Sequence, residues 1–304
     1  MTIEAERLEA RARLGRVGVW SFALDELPAG GERQTVAEIE ALGYPSLWIP
    51  EGLSSKEIIA HASLLLDASE RLTIATGIAN MWARDAVALA NAARLLADDH
   101  PGRFVLGIGV GHSYSTEVRG SRYERPWSGM RAYLDAMDDA PSSGPEPAHP
   151  APRLLAALGP RMLELAAERT AGAHTYFVPV EHTAAARRAL GAEPVLAVEQ
   201  TVVLESDPTV ARRLARGFAT DYLELPNYAN NLRRLGFTDE DVAGSGSDRA
   251  IDATVAWGGV DRIVGRVRAH LDAGADHVAV QVIADAGETG LRGLRELAPA
   301  LPAR

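Results

Sequence analysis

No cysteine occurs in the 304 residues. Disulfides, thiolate metal sites and a cysteine nucleophile are therefore excluded. No apolar run approaches the roughly 20 residues that a membrane-spanning helix needs. Positive charge is in deficit: 31 Lys and Arg stand against 41 Asp and Glu, a formal net charge of −10. That balance argues against nucleic acid or an anionic membrane as the main partner. The first stretch, MTIEAERLEARARLG, alternates charges and lacks a hydrophobic h-region. Residues 1–15 read as a short extension, helical or frayed, and not as a secretory signal, so a cytoplasmic protein is the expectation. G-x-S-x-G, H-E-x-x-H and G-x-x-x-x-G-K-[ST] patterns are also missing, which removes the commonest hydrolase, zinc and nucleotide motifs.

What is present is apolar alternation. An apolar content of 47% and a charged content of 24% suit a globular protein with a large core. The length fits two average domains or one α/β barrel. The stretch Pro101 to His112, PGRFVLGIGVGH, carries a short buried strand over Arg103–Ile108, ended by Gly107, Gly109 and Gly111. Further strands are predicted at Arg16–Phe22, Ser46–Pro50, Leu72–Ala79, Arg153–Ala157, His174–Val178, Val195–Leu204 and His277–Ile283. Helices are predicted at Glu32–Leu42, Ser54–Ala68, Asp85–Asp99, Pro126–Met137, Arg161–Thr170, Thr183–Leu190, Asp261–Ala273 and Glu288–Leu297. Residues 140–152 hold five prolines in thirteen positions and read as a loop. Residues 207–256 read as a mostly helical insertion. Strands that alternate with helices are parallel, with right-handed crossovers, and eight of them favour a closed (β/α)8 TIM barrel over an open sheet. The single barrel domain is placed at residues 16–304.

Several residues invite chemistry. The run Gly107-Ile-Gly-Val-Gly111 is followed by SYSTEVRG, a poor helix start, so a dinucleotide fingerprint is not the reading. His112 follows those glycines, and an imidazole is a general acid or base near neutral pH. In Ala156-Ala-Leu-Gly-Pro-Arg-Met162, a strand ends, Gly159 permits a turn and Pro160 takes the first helical position. The N–H groups of Leu158, Gly159, Arg161 and Met162 can then face an anion, with the Arg161 side chain adding charge. Glu51 sits at the exit of the second strand as a pocket carboxylate, and Trp20 and Ser21 at the exit of the first. His100 with Asp98 and Asp99 is the one arrangement that resembles a metal cluster. It lies at a helix end, where a histidine needs no metal to explain it. No metal is expected, and His174, His270 and His277 read as structural.

Five stretches taken together, SLWIPEG, LTIATGIANMWARD, ANAARLLADDHPGRFVLGIGVG, PRLLAALGPRMLELAAERTAGAHTY and AHLDAGADHVAVQV, resemble the bacterial luciferase-like superfamily of flavin and deazaflavin oxidoreductases, most closely its coenzyme F420-dependent, actinobacterial-type branch. The resemblance runs from about Val17 to Ile283. It implies a (β/α)8 barrel, a tricyclic isoalloxazine-type cofactor and hydride transfer. It places the ring against the strand end at Gly109 and Gly111, and against a bulge at Gly77, Ile78, Ala79 and Asn80 with a cis Gly77–Ile78 peptide. Asn80, Met81 and Trp82 then face the cofactor or the substrate mouth. The cofactor's phosphate falls on Ala157, Leu158, Gly159, Pro160, Arg161 and Met162, and His112 or Glu51 manages the proton. Deazaflavin members often have His after the acid at Glu51, whereas here Gly52 follows. The implied cofactor is F420, whose long acidic tail would meet a basic rim drawn from Arg84, Arg119, Arg122 and Arg125. Two alternatives stay open: an FMN-dependent luciferase-like monooxygenase, and an inactive barrel that only binds or scaffolds. The resemblance also implies a small-molecule substrate and a homodimer, with helices Ser54–Ala68 and Asp85–Asp99 as interface candidates. The insertion would cover the mouth with Tyr222, Asn227, Tyr228 and Asn230.

Overall fold

The structure, a computed structural model, describes residues 2–283 and 289–302. Ten strands lie in one parallel sheet: β1 (Val17–Trp20), β2 (Ser46–Ile49), β3 (Thr73–Thr76), β4 (Ala79–Asn80), β5 (Phe104–Gly109), β6 (Arg153–Ala156), β7 (Gly172–Thr175), β8 (Val195–Val203), β9 (Val255–Trp257) and β10 (His277–Val282). β1, β2, β3, β5, β6, β7, β8 and β10 pair in that order, and β10 pairs with both β8 and β1. The expected eight-stranded barrel therefore closes, with the helices around it. Along β8 the period of two sends Leu196, Val198 and Val202 to the layer under the helices. Val195 and Ala197 point to the barrel axis, and the same parity turns Glu199 and Thr201 inward.

The barrel interior is filled by matching large and small residues. Trp20, Trp48, His174 and His277 are all buried there. Their bulk is accommodated by neighbouring glycines: a Cβ at Gly18 would stand 2.8 Å from His277 Cε1, and one at Gly77 would stand 2.7 Å from Trp20 Nε1. Below these side chains, helix Ile3–Leu14 stops the barrel. Its Ala10 and Leu14 are fully buried and cluster with Val105, Leu154, Val195 and Ala197. Arg7 donates to Ala167 O at 2.7 Å, Arg11 pairs with Asp276 at 3.0 Å, and Arg13 donates to Phe104 O at 3.1 Å. The N-terminal extension is thus a docked plug and is not frayed.

The insertion forms helices Pro208–Leu223, Pro226–Arg234, Asp239–Val242 and Asp248–Thr254, then β9, which pairs with the upper part of β8. It has a core of its own, in which Ala211, Ala215, Ala219, Leu232 and Ile251 pack with Phe177 and Tyr228.

Four local readings change. The helix expected from Ser54 opens at Ile58, because the Glu57 carboxylate caps it by accepting from Ile59 N (3.0 Å) and Ala60 N (2.8 Å). The strand expected at His174–Val178 lies at Gly172–Thr175, since Phe177 has φ 53° and breaks the extended run. The residues after His112 do form a helix, Ser113–Val118, because the His112 carbonyl accepts from Thr116 N and from the hydroxyls of Ser115 and Thr116. The last helix is Leu291–Leu297, and its expected start at Glu288 lies outside the described residues.

Candidate active site

Parallel barrels bind ligands at the C-terminal ends of their strands, and the predicted residues gather there. The Gly77–Ile78 peptide is cis. β4 then lies beside Ile108 and Gly109 of β5. The glycines of β5, and Gly111 just after it, receive this bulge. A Cβ at Gly107 would stand 2.0 Å from Thr76 O, one at Gly109 2.5 Å from Ile78 Cδ1, and one at Gly111, whose φ is +55°, 2.3 Å from Asn80 Nδ2. Asn80 is buried and its Oδ1 accepts from Trp82 N at 3.0 Å. The Trp82 indole N–H donates to Val110 O at 3.0 Å, while Met81 joins the core.

Glu51 is fully engaged. Its Oε2 accepts from Asn80 N (2.7 Å) and Arg84 Nη1 (2.9 Å), and its Oε1 pairs with Arg84 Nη2. Arg84 also reaches Glu57 at 2.8 Å. Burial works against the Arg84 charge, but these two carboxylates outweigh it and raise its pKa. Glu51 therefore positions the bulge and is not a free base, and Arg84 is spent on it instead of serving a basic rim. Arg119, Arg122 and Arg125 remain exposed on the following loop.

His112 is half-buried between aromatic rings, stacked parallel to Tyr114 at 5.9 Å and 5.8 Å from Tyr228. Burial lowers its pKa and a bond to Asn227 works the other way without restoring it, so the imidazole is neutral at pH 7. Tyr222 and Tyr228 both line this cluster, 5.3 Å apart. Asn230 does not join it and instead accepts from Arg233 at 3.0 Å. Trp20 packs 5.1 Å from Tyr176, and its indole N–H finds no acceptor among the described residues. Ser21 donates its N–H to Trp48 O at 3.1 Å.

The sequence reading missed Glu199, Tyr176 and Gln281. Tyr176 donates its hydroxyl to Gln281 Oε1 at 2.8 Å and lies 3.0 Å from the Tyr222 hydroxyl. Glu199 is 1% exposed; burial raises its carboxyl to a pKa of about 7 against the bonds from Thr201 Oγ1 and Phe177 N. The signal was available: an acid on the inward phase of the apolar run VLAVEQTVV has nowhere to go but the barrel axis.

At the other side of the mouth, helix Pro160–Arg169 begins at Gly159, which is extended and makes no side-chain cap. Met162 N bonds Gly159 O at 3.2 Å and so is not available to an anion. Among the described residues, the N–H groups of Leu158, Gly159 and Arg161 take no protein acceptor, and they suit a phosphate at a helix start. Ala157 is tied to His174 O at 3.0 Å. The Arg161 guanidinium does not face the turn; it lies 4.6 Å from the centroid of the Trp127 ring.

The suspected metal cluster consists of Asp67, Asp99 and His100, not Asp98. His100 Nδ1 accepts from Arg103 at 2.8 Å, which leaves the proton on Nε2, facing the carboxylates, so no metal need be invoked. A cavity of about 210 Å³ lies away from the mouth, beside Trp257 and helix Val260–Asp272. Its Arg266 donates to Ala253 O and Asp252 O, and its Arg262 stacks on Trp257 at 3.7 Å.

A 5,10-methylenetetrahydromethanopterin reductase of Methanolobus tindarius is 24% identical over 178 residues, a stretch covering 51% of this chain and 55% of that relative. An F420-dependent secondary alcohol dehydrogenase solved with an F420-acetone adduct superposes with a TM-score of 0.76 at 14% identity, over 95% of this chain and 99% of that one. The oxygenating constituent of the 3,6-diketocamphane monooxygenase of Pseudomonas putida, solved with FMN, superposes with a TM-score of 0.70 at 16% identity, over 95% and 99%. No described helix is long and apolar enough to cross a membrane. The profile of the luciferase-like monooxygenases matches residues 23–277, and the chain belongs to that family of enzymes.

Proposed function

We propose that the chain is an oxidoreductase that transfers a hydride between the reduced deazaflavin coenzyme F420 and a small organic substrate. One observation carries this: the bulge Gly77–Asn80, His112 and the uncapped start of helix Pro160–Arg169 lie together on one rim of the barrel. The uncapped turn fits a phosphate, and the bulge is held from behind by Glu51 and Arg84. When bound, the coenzyme supplies a hydride-carrying ring. The chain's own residues bind, orient and manage the proton. Leu158, Gly159 and Arg161 offer N–H groups to the phosphate. His112, neutral at pH 7, and Glu199, with a pKa of about 7, are both able to exchange a proton near operating pH. Tyr176, Gln281 and Tyr222 form a hydrogen-bonded chain that can orient a polar substrate group.

The reductase relative and the F420-dependent dehydrogenase support the deazaflavin. The FMN-dependent monooxygenase is the second reading, favoured by Gly52 standing where deazaflavin members often carry His. A homodimer belongs to the same proposal: helix Ala86–Asp99 buries Leu89, Ala93 and Leu96 yet exposes Val87 and Leu95, and light scattering after gel filtration tests it. The test of function is a fluorescence titration of the protein with F420 and, separately, FMN. Tight F420 binding with FMN ignored supports the proposal. FMN preference moves the assignment to the monooxygenase, and binding of neither by folded protein leaves an inactive barrel.

A further inference from the structure

We infer that Arg234, contributed by the insertion and not by the barrel, is the cationic ligand of the cofactor's phosphate. The inference rests on the reading above that the Leu158–Arg161 turn takes that phosphate. Arg161, the cation the sequence offers there, is turned away onto Trp127. Its place is taken from the other side: a Cβ at Gly159 would stand 3.8 Å from Arg234 Nη2. Among the described residues no carboxylate pairs with Arg234, whereas its neighbour Arg233 pairs with Asp239 at 2.7 Å.

Arg234 is exposed, but a buried side chain holds its guanidinium in place. Asn231, one turn earlier on helix Pro226–Arg234, is 2% exposed and accepts from Arg234 Nη2 at 3.1 Å. Its Nδ2 is a buried donor with no acceptor among the described residues. Leaving such a donor unmet is costly, and it belongs to the same amide that holds the Arg234 guanidinium. His182 fixes the turn itself by donating Nε2–H to Leu158 O at 2.9 Å. Burial keeps that ring neutral, so Arg234 is the cation that remains for the anion. The ligand class is a phosphate ester, mono- or diester, whose charge the guanidinium and the N–H groups share.

The same helix has its other end at the mouth. Tyr228, two turns before Arg234, packs 5.8 Å from His112 and 5.3 Å from Tyr222. An anion held by Arg234 therefore fixes the helix that also forms the roof of the aromatic cluster.

The experiment compares the wild type with Arg234→Ala and Arg234→Lys, each checked for folding by circular dichroism. F420 and its ring riboside without the phosphate, and FMN and riboflavin, are titrated by fluorescence. Arg234→Ala is expected to weaken the phosphorylated form of whichever ring binds roughly ten- to hundredfold. It should leave the phosphate-free form unchanged, and Arg234→Lys should recover part of the loss. Equal affinity of wild type and Arg234→Ala for the phosphorylated form overturns the inference, as does an equal loss for both forms. Should neither ring bind the wild type, the proposed function falls. The inference is then decided by inorganic phosphate against chloride at matched ionic strength: a melting-temperature rise lost in Arg234→Ala supports it, and no rise overturns it.

Discussion

His277 and His174 both sit inside the barrel against the Trp48 ring, 5.8 Å and 4.4 Å away, yet they are treated in opposite ways. His277, toward the floor, donates Nδ1–H to Gly15 O at 2.9 Å and accepts from Trp48 Nε1 at 3.0 Å. His174, toward the mouth, has both ring nitrogens buried without a partner among the described residues, as has the Trp20 indole N–H. Burial lowers the pKa of both, to about 4 and about 3 respectively, so both are neutral and only their bonding differs. The floor satisfies both nitrogens of its histidine and fixes the plug helix. The mouth keeps polar groups unmet next to aromatic rings and a protonatable Glu199. Sites that must bind something are where such unmet groups are tolerated.

Replacing Leu14 by Ala should damage the floor most. The side chain is fully buried, and its loss should remove roughly 2–5 kcal/mol of stability in urea unfolding. Cofactor affinity of the protein that remains folded should not change; a parallel loss of affinity would break the separation of floor from mouth.

Glu199→Gln probes the other end. The carboxyl ionises near 4.5 when unfolded and about 7 when folded. The folded state thus holds its proton to higher pH. The stability this gives is complete below about 4.5 and is lost as pH rises toward 7, about 3 kcal/mol in all. The variant lacks that loss, so it should gain on the wild type between pH 5 and pH 8. Identical pH profiles of unfolding would show that Glu199 is not a buried, neutral-to-anionic switch.

Trp48→Phe removes the donor to His277 Nε2 and leaves a buried acceptor. It should cost about 1–3 kcal/mol in thermal unfolding and leave ring binding intact. The smallest effect is expected from Arg161→Ala, whose exposed guanidinium covers Trp127: about 0.5–1 kcal/mol, with the affinity for phosphorylated cofactor within twofold of wild type. A large loss of that affinity would return Arg161 to the phosphate.

The barrel was legible because its signal is repetitive: apolar strands such as Ser46–Ile49 and Phe104–Gly109 recur between helices, and period alone separates inward from outward residues. The bulge and the uncapped turn were legible through resemblance to a family that keeps them in place. Glu51 was found, but its role was not, since the partner that occupies it, Arg84, is 33 residues away. The plug helix was hard to see because its mostly polar, Arg-rich surface docks by bonds to backbone carbonyls from distant strands. Arg234 and Gln281 were invisible for the same reason. Each lies far along the chain from the groups it meets, and no local pattern marks a contact that only barrel closure creates.

The most direct measurement follows the hydride. Reduced F420 carrying deuterium at its transferable position is mixed anaerobically with the protein and a panel of small ketones, aldehydes and enones, and the products are read by mass spectrometry. The account predicts deuterium on a product carbon, dependent on the protein. Turnover that instead needs reduced FMN and molecular oxygen, with no deuterium reaching carbon, would contradict it.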